Sequence, residues 1–190
     1  MKILVACEFS GIVRDAFRAK GHDAWSCDLE PSEREGPHIQ DDVIAHLDDG
    51  WDLMIGHPEC RYLAVSGARW FEARHVEQRK AIWFFLALAN ANVPHIAIEN
   101  PVCIMSSRWR KPDQIIQPWM FGHPESKKTC LWLKGLPILK PTNVLPLPAC
   151  GYWHNQTPSG QNKLGPSPTR SADRARTYQG VADAMAEQWG

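Results

Sequence analysis

The stretch Asp52-Leu-Met-Ile-Gly-His-Pro-Glu-Cys60 constrains the fold more than any other. Its apolar run, Leu53 to Ile55, opens on an acid and is shut by Gly56, His57 and Pro58. A run that short, closed by turn residues, suits a buried parallel strand ending at a ligand-binding edge. Cys60 falls just past that end, where open α/β sheets hold their ligands. The run His95-Ile-Ala-Ile-Glu99-Asn100-Pro101 repeats the design and closes on an acid, an amide and a proline. Two strands that each bring one reactive group to one edge form a pattern suited to covalent catalysis.

The rest of the chain supports an α/β reading. Lys2 to Cys7 is a first buried strand, and Glu8-Phe9-Ser10-Gly11 a tight turn with Ser10 as the expected N-cap. Ile12 to Lys20 is a helix with Val13, Ala16 and Phe17 on one face and Gly21 as its stop. His22 to Cys27 is a second strand with Asp28 at its end. Glu72 to about Asn92 is read as one or two helices, with Ile82, Phe85, Leu86 and Ala89 at helical spacing. Further strands are expected at 95–98 and 130–133. Val181, Ala184, Met185 and Gln188 give a short closing helix.

The expected architecture is therefore a Rossmann-like, doubly wound, mostly parallel sheet over residues 1–134. An irregular segment follows over 135–177, where Pro137, Pro141, Pro146 and Pro148 crowd together. The closing helix lies within 178–190. Strand, turn, helix, strand and acid in that order describe a nucleotide-cofactor half-sheet, with Asp28 on the ribose hydroxyls. Asp28 as a solvated strand-end acid is the competing reading, since the turn holds the single glycine Gly11.

Composition removes several classes. The formal net charge of zero gives no uniform attraction to nucleic acid, so such a contact needs a local patch. The six cysteines are scattered, no CxxC pair occurs, and no signal peptide is expected ahead of the first strand. Reduced thiols in the cytoplasm follow, without a structural metal. No apolar run approaches the roughly 20 residues of a membrane span. Most of the nine tryptophans are expected in the core, with some left for a stacking surface.

The order of these pieces resembles the DNA cytosine-5 methyltransferase family, in a short form of the kind carried by phages and prophages. Val5 to Gly11 is similar to a degenerate version of that family's cofactor loop, and Asp42-Val43 to the short acidic motif that meets the adenine. Pro58-Glu59-Cys60 resembles the Pro-Pro-Cys nucleophile loop, and Glu99-Asn100-Pro101 the Glu-Asn-Val motif. Gly122 to Thr129 resembles the Gly-x-Pro-Gln-x-Arg-x-Arg motif, and Gly180 to Trp189 the closing helix. The resemblance implies S-adenosylmethionine as cofactor, held by Glu8, Phe9, Ser10, Gly11, Asp28, Asp42 and Pro58. It implies a cytosine in DNA as substrate. It makes Cys60 the nucleophile and Glu99 its acid partner, with Lys127, or Arg61, a group that steadies the anionic adduct or grips phosphate. Glu59, Lys127 and Thr129 depart from the family pattern, and 135–177 is short for a unit that reads duplex sequence.

These types suit the chemistry. Cytosine C5 takes a methyl group only after a thiolate has added at C6, and a thiolate is the strongest side-chain nucleophile near neutral pH. Glu99 acting at N3 needs a proton, hence a raised pKa. The bland readings are Cys60 as a packed small hydrophobe, Glu99 as a turn cap, and His57 as a hydrogen-bonded strand end. Cys7, Cys27, Cys103, Cys130 and Cys150 are expected in packing. Modification of a free pyrimidine nucleotide, an altered methyl donor, and a non-catalytic binding protein on the same fold stand as alternatives.

The cofactor assignment carries its own test. A carboxylate that accepts two ribose hydroxyls makes charge-assisted bonds worth roughly 1.5–3 kcal/mol each. Asp28→Ala is expected to weaken S-adenosylmethionine binding at least about tenfold by calorimetry, while Asp23→Ala on the same strand binds as wild type.

Overall fold

The computed structural model describes residues 1–163, 167 and 170–190. Ile3 and Val5 face one side of a sheet and Leu4 and Ala6 the other, and all four are fully buried. Their strand, β1 (Lys2–Ala6), is covered on both faces, which is why it reads as an unbroken apolar run. It lies within a sheet that also holds β2 (Asp23–Asp28), β3 (His38–Gln40), β4 (Leu53–Gly56), β5 (His95–Pro101), β6 (Gln114–Ile116) and β7 (Thr129–Lys134). The order is β3-β2-β1-β4-β5-β7-β6. Pairing is parallel from β3 to β5, and β7 runs antiparallel to both β5 and β6. Five α-helices complete the described residues: α1 (Ile12–Ala19), α2 (His75–Ala89), α3 (Met105–Arg108), α4 (Arg170–Ala175) and α5 (Gln179–Trp189). The protein is thus a mixed α/β fold.

Helices α1 and α5 cover one face of the sheet. Val13, Ala16 and Phe17 meet Val181, Ala182, Met185 and Trp189 over Ile3, Val5, Leu53 and Ile55. Helix α2 covers the other face, with Phe85, Leu88 and Ala89 over Leu4, Met54, Ile96 and Trp132. Phe85 meets Trp132 edge to face at 5.2 Å between ring centroids. Each large apolar side chain buried in this way contributes about 1.5–3 kcal/mol.

The start of α1 differs from expectation. Ser10 is not its cap: Gly11 holds the N-cap position at φ 70, and no side chain caps from there. The buried carboxylate of Glu8 serves instead, accepting the N–H of Val13 at 2.7 Å and of Arg14 at 3.2 Å. The Ser10 hydroxyl donates to that same carboxylate at 3.2 Å. The Ser10 oxygen in turn accepts the Ile12 amide at 3.4 Å, so carboxylate and hydroxyl share the free amides of the first turn.

Arg14, on α1, is completely buried. Its guanidinium donates to Asp15 at 2.8 Å, to the hydroxyls of Ser26 and Ser32 at 3.1 Å each, and to the Glu35 carbonyl at 3.0 Å. It thereby ties α1, β2 and the polar loop after β2 into one unit. Two glycines leave room for it. A Cβ on Gly11 would lie 2.6 Å from an Arg14 nitrogen, and one on Gly36, at φ 143, would lie 2.8 Å from the guanidinium carbon.

Other boundaries move for identifiable reasons. β1 stops at Ala6 because Cys7 takes a left-handed conformation, φ 59. β5 runs on through Glu99 to Pro101 because β7 continues the ladder after β4 has ended, pairing Glu99 with Leu131. The three-residue strands β3 and β6 are too short to carry a sequence period. Among the described residues, 135–163 holds isolated bridges but no strand or helix, and α4 lies within the stretch expected to be irregular. Residues 164–166, 168 and 169 of that stretch lie outside the described residues. The irregular chain is still anchored: Leu139 is fully buried, and Trp153 stacks on Trp119 at 5.9 Å with planes 4° apart.

Removing Arg14 strands several buried acceptors and leaves a void. Arg14→Ala is expected to lower unfolding free energy by about 3 kcal/mol or more, read from the denaturation midpoint, whereas Arg18→Ala, exposed on the same helix, changes it little.

Candidate active site

The register of the parallel strands brings the two predicted reactive segments together. Ala6 pairs with Gly56 and Gly56 with Ile98, so the three strands reach their carboxyl ends in one row. The strand order reverses between β1 and β4, the position at which such sheets open a crevice for ligands. Cys7, His57 and Glu99 are the next residues along that row. The His57 amide donates to the Ala6 carbonyl at 2.9 Å, and Asn100 donates its side-chain N–H to the Pro58 carbonyl at 2.8 Å. Asn100 is almost wholly buried, and this bond holds the loop after β4 against β5.

Cys60 sits in the turn that follows. Its carbonyl accepts the amides of Leu63 and Ala64 at 3.0 and 2.8 Å. Leu63 is fully buried and its carbonyl accepts the Ile104 amide at 3.0 Å, so the turn is sewn to the segment after β5. Cys60 remains half-buried, and Glu59 beside it is exposed, its charge left in water.

His57 and Glu99 form a pair that the sequence did not advertise. His57 Nδ1 lies 3.2 Å from Glu99 Oε2, with the His57 side chain 7 % exposed. The other ring nitrogen, Nε2, is buried and has no hydrogen-bond partner among the described residues. Glu8 lies close enough for His57 to favour its charged form, although burial dominates and pushes the Glu8 carboxyl up. For Glu99 the balance is the reverse of the expectation. Burial raises its pKa, but the His57 hydrogen bond and the Lys127 charge outweigh burial and hold it below the ordinary glutamate value. The Cys60 thiol is pushed up by burial and by the Glu99 charge, against the pull of Lys127 and Arg174.

Lys127 stands on the far wall of a pocket bounded also by Glu99, Thr129, Tyr178, Val181 and Met185, with about 330 Å³ of space that includes open solvent. Its ammonium donates to the Arg174 carbonyl at 2.8 Å and lies 5.9 Å from the Tyr178 ring centroid. The loop carrying it is fixed to the start of α5. The Gly180 amide donates to His123 Nε2 at 2.9 Å, and the Tyr178 hydroxyl donates to Glu125. Tyr178 and the backbone of Arg174 thus belong to this wall, and only their place just ahead of the closing helix could have suggested it.

The expected cofactor residues cluster around the β1 and β2 ends without all being free. Glu8 is spent on the α1 amides, and Pro58 is buried with its carbonyl taken by Asn100. Asp28 is the last residue of β2 and half-buried; one carboxylate oxygen accepts the Glu30 amide at 3.0 Å. Burial raises its pKa. Asp42 is exposed and accepts the Ile44 amide at 3.0 Å, capping a short turn. The negative charges of Asp28 and Asp42, together with burial, push the Cys7 thiol up, which places these groups near one another. Phe9 carries the Arg176 guanidinium 5.9 Å from its ring centroid, and Arg176 also grips Glu33 at 2.9 Å. Of the cysteines expected in packing, Cys27, Cys103 and Cys130 are buried and Cys7 partly so, but Cys150 is exposed. Four of the nine tryptophans (Trp51, Trp132, Trp153 and Trp189) are buried, and Trp70 and Trp83 are exposed.

Among the described residues no group of three or more His, Cys, Asp and Glu is placed to hold a metal ion, and no helix is long and apolar enough to cross a membrane. No family model matches the chain, and no curated protein matches it. A solved structure from E. coli, described as a candidate DNA modification methyltransferase encoded within a prophage, is similar at 15 % identity and a TM-score of 0.49. The match covers 76 % of this chain and 51 % of that one, so this chain spans about half the length of the structure it matches.

The His57–Glu99 pair has a pH signature. A carboxyl whose folded pKa is depressed contributes stability above its unfolded value, and that contribution is lost as pH falls through the folded value. Glu99 is expected to stabilise the wild type above its ordinary pKa of 4.5 and to lose this at lower pH. In His57→Ala burial gains weight against the Lys127 charge alone. The depression should shrink or reverse, so the stability that Glu99 loses on acidification should diminish or change sign, as read from denaturation midpoints across pH.

Proposed function

We propose that the protein is an S-adenosylmethionine-dependent methyltransferase, built on a Rossmann-like, doubly wound domain over residues 1–134, that methylates C5 of cytosine in DNA through Cys60. The observation that carries this reading is the convergence of Cys60, Glu99 and Lys127 at the carboxyl edge of β4 and β5. Burial first, then the opposed charges of Glu99 and Lys127, bear on the Cys60 thiol, and Glu99 and Lys127 line one pocket. Residues 135–177 stand in place of a recognition domain, and α5 closes the catalytic domain.

The residues at the β1 and β2 ends suit the cofactor. Asp28 is half-buried at a strand end, where its carboxylate accepts the Glu30 amide at 3.0 Å. Asp28 would accept the ribose hydroxyls and Asp42 would lie toward the adenine amine. Phe9, Ser10 and Gly11 would line the turn, with Glu8 and Pro58 forming its floor. When bound, S-adenosylmethionine would supply an electrophilic methyl group.

The chain's own groups account for the remaining steps. Cys60 rests as a thiol, since burial and Glu99 disfavour its anion, and Lys127 and Arg174 favour release of the proton. The thiolate forms a bond to C6, and the displaced ring electrons are met at N3 by a proton from Glu99. Because Glu99 rests ionised, that proton must reach it first, and His57 Nδ1 stands at hydrogen-bond distance to pass it on. Lys127 steadies the negative charge that builds on the ring as that proton arrives. After C5 has taken the methyl group, a base removes the C5 proton. The C–S bond then breaks, its electron pair returns to sulfur, and the N3 proton returns to Glu99. A cytosine in duplex DNA must leave the stack to reach Cys60.

A free pyrimidine nucleotide is the second reading, favoured by the limited size of the 135–177 segment. One experiment separates the readings. A 5-fluorocytosine oligonucleotide with S-adenosylmethionine is expected to trap a covalent adduct on wild type and none on Cys60→Ala. An equal adduct on both removes Cys60 from the reaction. Turnover on dCMP with no adduct on single-stranded or duplex DNA favours the nucleotide. No turnover on any of them points to a binding protein.

A further inference from the structure

One aromatic pocket lies outside the Cys60–Glu99 site. The turn after Cys60 and the start of α2 enclose about 240 Å³, including open solvent, between Arg61, Tyr62, Trp70, Phe71, Arg74 and Gln78. Trp70 is half exposed, although a tryptophan of this size gains most when buried. Cations lie against both open rings. The Arg61 guanidinium lies 5.7 Å from the Tyr62 ring centroid, and those of Arg69 and Arg74 lie 5.2 and 5.8 Å from that of Trp70. Gln78, on α2, donates to the Tyr62 carbonyl at 3.1 Å and fixes that side of the pocket.

The surrounding charge is local and uncompensated. The chain is neutral overall, yet residues 61–80 carry Arg61, Arg69, Arg74, Arg79 and Lys80 against Glu72 and Glu77 only. Among the described residues none of these five cations forms an ion pair with an acid. An exposed Trp70 and a partly buried Tyr62, each flanked by guanidinium groups, match what an unpaired nucleotide offers: a flat face to stack and phosphates on either side. A duplex offers its phosphates but keeps its base faces closed.

We propose that the Tyr62–Trp70 pocket is a stacking subsite for an unpaired base of single-stranded DNA, with Arg61 and Arg74 on the adjoining phosphates. Its place one turn beyond Cys60 puts it next to the target base, a placement that rests on the methyltransferase reading; the stacking itself does not. The subsite gives a chain with a small recognition segment a way to hold a strand without reading a base sequence.

The test is binding of the full chain, without methyl donor, to a labelled single strand of about 12 nucleotides, followed by fluorescence anisotropy. Trp70→Ala is expected to weaken binding about tenfold or more, and Trp70→Phe to keep most of it. Arg74→Ala should flatten the dependence of affinity on salt. Trp83→Ala, which removes an exposed tryptophan elsewhere on α2, is expected to bind as wild type. The proposal is overturned if the strand does not bind, if Trp70→Ala binds as wild type while folded, if Trp83→Ala weakens binding equally, or if a duplex of the same sequence competes as well as the single strand. The 5-fluorocytosine adduct, read beside binding, keeps the two readings apart. Binding without any 5-fluorocytosine adduct on wild type leaves the subsite and removes the chemistry; adduct formation with Trp70→Ala binding unchanged does the opposite.

Discussion

The hydrogen bonds that set Ala6, Gly56 and Ile98 in one row govern everything built above them. Parallel pairing fixes where each strand ends relative to its neighbours, and a slip of one residue turns every side chain to the opposite face. Because both faces are filled by helices, such a slip would bury polar groups and expose the core, so the register is strongly held. The position of His57 against Glu99 follows directly from this alignment. Loops alone could not hold two groups on separate strands at 3.2 Å with that regularity.

Below that edge the fold buries two ionisable side chains. Glu8 and Arg14 lie within one turn of each other and both are almost inaccessible, yet they do not neutralise one another through a side-chain ion pair. Glu8 is held by backbone amides, and Arg14 by hydroxyls, carbonyls and the neighbouring Asp15. Burying an ion is costly unless its hydrogen bonds are satisfied. Here each group spends its bonds on fixing backbone: Glu8 the start of α1, Arg14 the loop from Ser32 to Gly36. The rim around Asp28 and Phe9 is therefore set by internal polar contacts as much as by apolar packing.

The sequence disclosed the elements that carry a period or a sharp stop. The central strands, α1 and α5 are legible because apolar runs and closing glycines or prolines declare them. The short strands β3 and β6 are not, since three residues hold no period. The extension of β5 through Glu99 depends on a partner strand some thirty residues away, and no local signal announces a ladder. Cys60 and Glu99 stood out as reactive types at strand ends. The ionised state of Glu99 did not, because it arises from His57, which the strand register and not the sequence places beside it. Arg14 was hidden for a related reason: on a helical wheel an arginine reads as solvent-facing until a distant loop folds over it.

The walls of the candidate site come from widely separated parts of the chain. The Arg174 carbonyl receives Lys127, Arg176 grips Glu33 and lies over Phe9, and α5 lies along α1. A ribosome delivers the strands of the parallel edge first and these closing contacts last. During synthesis the apolar side of α1 and the β1 face beneath it therefore stay uncovered until residues 181–189 emerge. Contacts of such long sequence separation are slow to form, and the nascent chain meanwhile exposes a face that other chains can bind. In the interval between translation of α1 and of α5 that face is thus open to aggregation.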